Sequence, residues 1–525
     1  MSTSRNTSIQ HNEMPSLQDF QWLVSTIRKL RPDLCKLFQS KKGVSLEFAR
    51  WLVSSGTKEY QSLKENRGIQ HILSQPIHGL GLTPLQALIY LDRKDVQEAY
   101  PLALRRSDFL QWFYRHGIDE HELHPWLTES DRVRYTAIHP KKSYTKPEVE
   151  NTEEVRPFGV NLIGYAYGQL GIGEDMRMTA KALKAAEIPF VMLNFPPGKD
   201  IPQNDRSMEA YVQENGPYNV NIFCMTALET ARYYAEHGEK QFRGRYNIGY
   251  WPWELGKWPE EWRDLVNLVD EVWVSSRHTY DALAPVSPVP VLIMPLAVEI
   301  DEVSSLTRKD FSLPEDAYLF CFSFDLNSSI YRKNPQACLR AFQRAFPTGE
   351  ETPRRVGLVI KTHRPVVSVP QWENLKQVAA SDMRIHIIEQ TLSRPDVLAL
   401  YGCCNCFMSL HRAEGFGRGI AEALLLGLHV ITTGYSGNMD FCRDNFQVDM
   451  IGYHLVPVHE LEYPFGKGQF WAEIEEDDVI GCMRQIIGHT QSYLDEIRIN
   501  STDSLFSTRI CGRRYSQRLY IINSM

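Results

Sequence analysis

From Phe158 onward the chain repeats one pattern: a short apolar run, a turn, then a stretch with helical periodicity. Strands interleaved with helices specify parallel sheet, because parallel neighbours need a crossover and the crossover helix covers the sheet face. Six runs form a first series of expected strands, at 159–166, 190–195, 220–225, 247–250, 271–275 and 291–294. A second series follows at 318–324, 357–361, 385–388, 406–410, 429–432 and 454–458. The polar stretch 299–312 divides them. The expected fold class is α/β, with two Rossmann-like domains, 158–300 and 301–500, facing a cleft. A chain of 525 residues exceeds what one core ordinarily organises, in keeping with two or three domains.

Residues 1–140 read differently, as helices with aromatic clusters such as Phe20, Trp22, Leu23 and Ile27. They also echo themselves. Leu46-Glu47-Phe48-Ala49-Arg50-Trp51-Leu52, with Gly56 and Glu59, matches Ser107-Asp108-Phe109-Leu110-Gln111-Trp112-Phe113, with Gly117 and Glu120. Upstream, Arg31-Pro32-Asp33-Leu34 matches Arg93-Lys94-Asp95-Val96. The echo predicts a duplicated helical unit of roughly sixty residues, whose copies bury their aromatic faces together. Residues 141–157, rich in Lys, Glu and Pro without apolar periodicity, are the expected linker.

Chemistry concentrates in His411-Arg412-Ala413-Glu414-Gly415-Phe416-Gly417-Arg418-Gly419-Ile420-Ala421-Glu422. An apolar strand precedes this run and a helix ending near Gly427 follows it, so the order is strand, glycine-rich loop, helix. Glu414 then sits at the carboxyl edge of a sheet, where doubly wound folds bind ligands. Exposed amides at the helix start suit a phosphate. Glu422, in the helix, can accept two hydrogen bonds from a vicinal diol such as a ribose.

The Glu-Gly-Phe-Gly-x4-Glu string resembles that of retaining glycosyltransferases of the GT-B fold, the family 4 type in particular. The resemblance covers about 158–521. It implies a nucleoside diphosphate sugar as donor and transfer to an acceptor hydroxyl with retention of configuration. It also implies that the terminal helix, around 512–521 within 501–525, returns to the first Rossmann-like domain. Glu414 is expected to position the sugar, with Gly415, Phe416 and Gly417 beside it. Lys333, Arg332 and Lys361 are expected to neutralise the diphosphate, although Phe324-Asp325 replaces the early arginine usual in that family. Gly437 and Asn438, after the next strand, are expected at the donor. Gly171 and Gly173, in Gly168-Gln169-Leu170-Gly171-Ile172-Gly173, form the expected glycine-rich loop of the first domain. Trp251 and Glu254 are candidates for the acceptor side; packing by the tryptophans is an equal alternative. His411 is expected to orient rather than to transfer protons. The histidine that many members carry after the third strand is missing, since that strand ends Cys224-Met225-Thr226.

No His-x-x-x-His and no carboxylate cluster has metal-ligand spacing, Cys403-x-x-Cys406 lacks a second pair and reads as packing, and no Asp-x-Asp is suited to a divalent ion, so no cofactor and no obligatory metal is expected. The net charge of −7 gives no basic field for nucleic acid. The expected partners are the nucleotide sugar and a saccharide, lipid-linked or protein acceptor, with the helical module free to dock to a membrane or a protein. No run reaches bilayer-spanning length, residues 1–15 lack the apolar core of a signal peptide, and most cysteines read as buried small hydrophobes. The expected compartment is the cytoplasm, with peripheral attachment at the inner membrane face as an option. Two other functions stay open: a scaffold with a vestigial transferase fold, and a nucleotide-sugar epimerase.

Overall fold

The computed structural model describes residues 18–36, 45–77, 80–140, 155–197, 201–363, 369–489 and 506–525. Most of the expected linker, 141–154, lies outside them. The chain divides into two units, 1–155 with 228–244, and 156–227 with 245–525.

In the helical unit the two matching segments fold alike. Helix Leu46–Trp51 runs into a π-helical turn, Leu52–Gly56, and a final turn, Thr57–Glu59. Helix Leu102–Trp112 runs into the π-helical turn Phe113–Gly117 and the turn Ile118–Glu120. Arg31 bridges Asp33 (2.9 Å) and Glu59 (2.7 Å), while Arg93 bridges Asp95 (2.6 Å) and Glu120 (3.1 Å). Gly56 lies against the Trp51 ring, where a Cβ would come within 2.9 Å, and Gly117 lies likewise against Trp112. The segment 228–244, between two strands of the other unit in sequence, completes this core. Its Tyr234 ring meets Trp22 edge-on at 5.7 Å, and its Ala235 carbonyl accepts from the Ser62 hydroxyl at 2.8 Å.

The second unit holds two six-stranded parallel sheets. The first contains β1 (Val160–Gly164), β2 (Phe190–Asn194), β3 (Val220–Cys224), β4 (Tyr246–Tyr250), β5 (Glu271–Val274) and β6 (Val291–Ile293), ordered β2-β1-β3-β4-β5-β6. Its central strands are buried on both faces, which is why they read as unbroken apolar runs. Where they do carry polar side chains, those pair: Asn161 donates to Asn221 and Asn221 to Asn247, each at 2.9 Å, linking β1, β3 and β4.

The second sheet contains β7 (Tyr318–Phe324), β8 (Val356–Thr362), β9 (Ile385–Glu389), β10 (Cys406–Ser409), β11 (His429–Thr433) and β12 (Val448–Ile451), ordered β12-β11-β10-β7-β8-β9. The sixth strand differs from the expectation. The run 454–458 does not join this sheet; β13 (Tyr453–Pro457) pairs antiparallel with β14 (Phe470–Ile474) as a hairpin. The sheet takes β12 instead, at its edge, where Asp449 pairs with His429 Nε2 at 2.8 Å. A charge is tolerated there because an edge strand is half solvated and this one has a partner.

Helix Thr508–Asn523 packs on helix Gly171–Ala185 so closely that a Cβ at Gly512 would sit 2.2 Å from the Ala182 carbonyl. Tyr515 stacks on Trp273 and donates to the Pro295 carbonyl at 2.9 Å, and Arg518 pairs with buried Glu271. The last helix is therefore keyed to the first Rossmann-like domain. Among the described residues no helix is long and apolar enough to cross a membrane.

Candidate functional site

The order of the second sheet reverses between β7 and β10, and a crevice opens at the carboxyl ends of strands where connections leave in opposite directions. Arg332 and Lys333 follow β7, Glu414 follows β10, and Lys361 ends β8, so four of the expected residues gather at one edge. Lys333 Nζ bonds Glu414 Oε1, and Arg332 Nη1 lies 3.1 Å from Glu414 Oε2. Arg332 also donates to the Ala413 carbonyl at 2.8 Å and faces Glu254 of the first domain at 3.9 Å. Glu254 in turn accepts from the Tyr463 hydroxyl at 2.6 Å. Burial works against the charged form of Glu414, but Lys333 and Arg332 outweigh it and hold the carboxyl well below its usual range. Burial lowers the Lys333 ammonium, with Glu414 pulling the other way.

Lys361 is in a different state. It is 2% exposed, and its side chain makes no hydrogen bond or ion pair among the described residues. Burial pushes its ammonium down to about 8, opposed only by the field of Asp325 and Cys321. A buried cation without a counter-ion is costly unless something else supplies the charge.

The Glu414 loop is fixed by hydrogen bonds. Glu414 N donates to the Ser436 hydroxyl at 2.8 Å, and Gly437 N donates to the Glu414 carbonyl at 2.8 Å. A Cβ at Gly437 would stand 2.1 Å from the Gly415 carbonyl, so only glycine allows the two loops to lie together. Gly417, at φ +94°, turns the chain into helix Arg418–Leu425 through a left-handed conformation. From the first domain, Ser276 Oγ donates to the Gly415 carbonyl at 2.5 Å, and Arg277 N donates to Asp440 at 2.7 Å.

His411 is fully buried, and burial lowers it to about 4. Asn438 donates its amide to the Thr433 carbonyl (3.0 Å), which turns its oxygen toward His411 Nε2 at 3.1 Å. Nε2 therefore carries the proton, and Nδ1 accepts from Ser409 Oγ at 2.9 Å. His411 is a neutral post under the 435–440 loop.

Several expected ligand contacts are engaged elsewhere. The Asn438 side chain is spent on His411 and Thr433. The Phe416 ring packs between Phe441 (5.2 Å) and Phe506 (5.3 Å), so this residue offers a ligand its backbone only. Glu422 is 2% exposed and accepts from Arg394 Nη2 at 2.5 Å. Gly173 packs under the Gly168 carbonyl, whereas a Cβ at Gly171 would meet nothing within 4 Å. Trp251 is buried, and Trp253, Trp258 and Trp262 form a cluster with Tyr463 and Phe465 of the segment joining β13 to β14.

Residues not anticipated from sequence complete the crevice. Arg394 also faces Glu174 at 3.6 Å, and Arg418 Nε donates to Asp175 at 2.7 Å, each a cation of the second domain meeting an acid of the first. Arg418 was visible inside the motif and Asp175 just past the glycine-rich loop; Tyr463 gave no signal. Among the described residues no group of three or more His, Cys, Asp or Glu is arranged to hold a metal ion.

No protein-family model matches the chain, and no curated protein matches it. Solved structures do. A sucrose-phosphate synthase from Thermosynechococcus elongatus, 15% identical, matches over 70% of this chain and 100% of its own with a TM-score of 0.52. Anabaena HepE, solved in complex with UDP and glucose, matches at 13% identity over 70% of this chain and 100% of its own, with a TM-score of 0.50. Likeness at this identity speaks for the fold: behind a helical N-terminal region, the chain carries the two-domain GT-B architecture.

Proposed function

We propose that the chain is a retaining glycosyltransferase of the family 4 type, taking a nucleoside diphosphate sugar and transferring its glycosyl group to an acceptor hydroxyl in glycan synthesis. The observation that carries this reading is Lys361, a buried ammonium with no partner among the described residues, at the same sheet edge as the Arg332–Lys333–Glu414 cluster. A diphosphate is the counter-ion that such an edge lacks. Cations held in a water-poor crevice stabilise the negative charge that builds on a departing diphosphate, and this is usually the largest electrostatic contribution to such a transfer.

In this reading the sugar lies against the 414–417 loop and the 437–438 turn, with Glu414 held by Arg332 and Lys333 toward its hydroxyls. The departing phosphate oxygen takes the acceptor proton on the face where the new bond forms, which retains configuration. Side-chain cations do the work of a divalent ion, so no metal is required. Ribose binding at Glu422 displaces Arg394, which has Glu174 as its second carboxylate. The helical unit, a tandem duplication, serves as a partner- or acceptor-docking element, and the protein acts in the cytoplasm or peripherally at the inner membrane face.

The similar HepE structure contains UDP and glucose, so UDP-hexoses are the first donors to try. The expected outcome is release of the nucleoside diphosphate with formation of a glycoside of the donor's own anomeric configuration, read by proton NMR of the new anomeric signal. A product of opposite configuration contradicts retention. An epimerised nucleotide sugar with no nucleotide released favours the epimerase.

A further inference from the structure

The first sheet has a switch point of its own, between β1 and β3, and a cavity of about 20 Å³ lies there. That volume admits a single water-sized group. Its walls include Asp175, Cys224, Tyr250, Trp251, Ser275 and Leu296. Two of these residues also touch the segment that follows Glu414. Ser275 Oγ donates to the Gly415 carbonyl at 3.3 Å, and Asp175 Oδ1 accepts from Arg418 Nε at 2.7 Å. A group in the cavity is therefore one residue away from the loop assigned to the donor sugar.

Asp175 has capacity to spare. Arg418 engages Oδ1, and Oδ2 takes part in no hydrogen bond among the described residues. Burial raises the carboxyl above its ordinary value; Arg418 opposes that shift, and the charges of Glu174 and Glu422 add to it. A carboxylate of raised basicity on a mostly apolar wall is a strong acceptor for one hydroxyl.

We propose that this cavity receives a hydroxyl of the acceptor and that Asp175 holds it, so that the acceptor is a polyol or saccharide with neighbouring hydroxyls. The inference rests on the transferase reading above. One hydroxyl donates to Asp175 Oδ2, and its neighbour is the nucleophile. The neighbour's oxygen bonds to the anomeric carbon as the bond from that carbon to the diphosphate oxygen breaks. Its proton passes to the departing oxygen, and Asp175 leaves the step unchanged. Water has two protons and fills both roles, which gives a slow hydrolysis of the donor.

The test is Asp175→Asn, which keeps the shape and an oxygen for Arg418 but replaces the free acceptor with a donor. With a UDP- or GDP-sugar that binds the wild type, the variant is expected to retain donor affinity; it loses the charge opposite Arg418, so it is assayed well below its own melting temperature, where it is folded. Its nucleotide release into water, and into glycerol as a surrogate polyol, falls at least about tenfold. Glycerol is expected to speed wild-type release more than ethanol, which has one hydroxyl. Unchanged release in the variant overturns the assignment, as does an equal loss of donor affinity, which would make Asp175 a support for Arg418. A wild type that binds a donor yet releases nothing to water or glycerol overturns it too. If no sugar nucleotide binds the wild type, the transferase reading has failed first.

Discussion

Lys361 is held where an ammonium does not want to be. Its ordinary value is 10.5 and the fold lowers it to about 8, so between those pH values the unfolded chain keeps a proton that the folded chain has lost. Stability contributed by this site therefore rises with pH across that window, and below about 8 the buried charge opposes folding. At roughly 1.4 kcal/mol per pKa unit the penalty is on the order of 3 kcal/mol. Lys361→Met is expected to melt at a higher temperature than wild type at neutral pH, with the difference closing as pH approaches 10.5. Thermal melts across that range check this; a variant that melts lower contradicts the uncompensated charge. Other residues were legible only in part. Lys361, Arg332, Lys333 and Glu414 could be read because the family resemblance names such residues after strands, and strand ends are visible as apolar runs that stop. Which carboxylate each cation meets could not, since Arg394 reaches Glu422 across a strand and a helix, and Arg332 reaches Glu254 in the other domain.

Among the elements, the β13–β14 hairpin departs furthest from what its sequence suggested. His454-Leu455-Val456-Pro457-Val458 has the apolar character of a sheet strand, while Val448-Asp449-Met450-Ile451 carries a charge, yet it is β12 that pairs in register with β11, with His429 as partner for Asp449. The hairpin's connecting segment instead clamps the tryptophan cluster of the first domain, with Phe465 against Trp262 at 5.2 Å and Tyr463 bonded to Glu254. A hydroxyl bonded to a half-buried carboxylate is worth about 2 kcal/mol. Tyr463→Phe keeps the ring packing and should lose about that much stability, as should Glu254→Gln, with the double variant costing less than the sum. Denaturant titrations give the coupling; strictly additive effects would mean that the two groups do not act together. The matching helix-and-π-turn segments of the helical unit were legible for the opposite reason. Each copy keeps its Trp, Gly and Arg at local spacing, and local spacing is what a sequence displays.

At the scale of the whole molecule, the alternation of strands and helices, the division near residue 300 and the reversal of strand order in each sheet explain why chemistry collects at two facing edges. The second sheet's edge gathers cations around Glu414, and the first sheet's edge offers Asp175 and an apolar wall. Ion pairs Asp175–Arg418 and Glu174–Arg394 join the two domains across that line, beside the cluster around Glu414. Sequence could carry eleven of the twelve sheet strands, each an apolar run, but not β12. It could not carry the cross-domain pairs, whose members lie 243 and 220 positions apart (418 − 175 and 394 − 174). The central claim is that this crevice binds a nucleoside diphosphate sugar. The most direct measurement is calorimetric titration of wild type, Lys361→Met and Glu422→Ala with UDP-, GDP-, ADP- and dTDP-sugars at pH 7 and above pH 8. The expected result is saturable binding of one nucleotide class by wild type alone, weakening as pH rises through about 8 and accompanied by proton uptake. A folded wild type that binds none of them, or a Lys361→Met variant that binds as tightly as wild type, would contradict it.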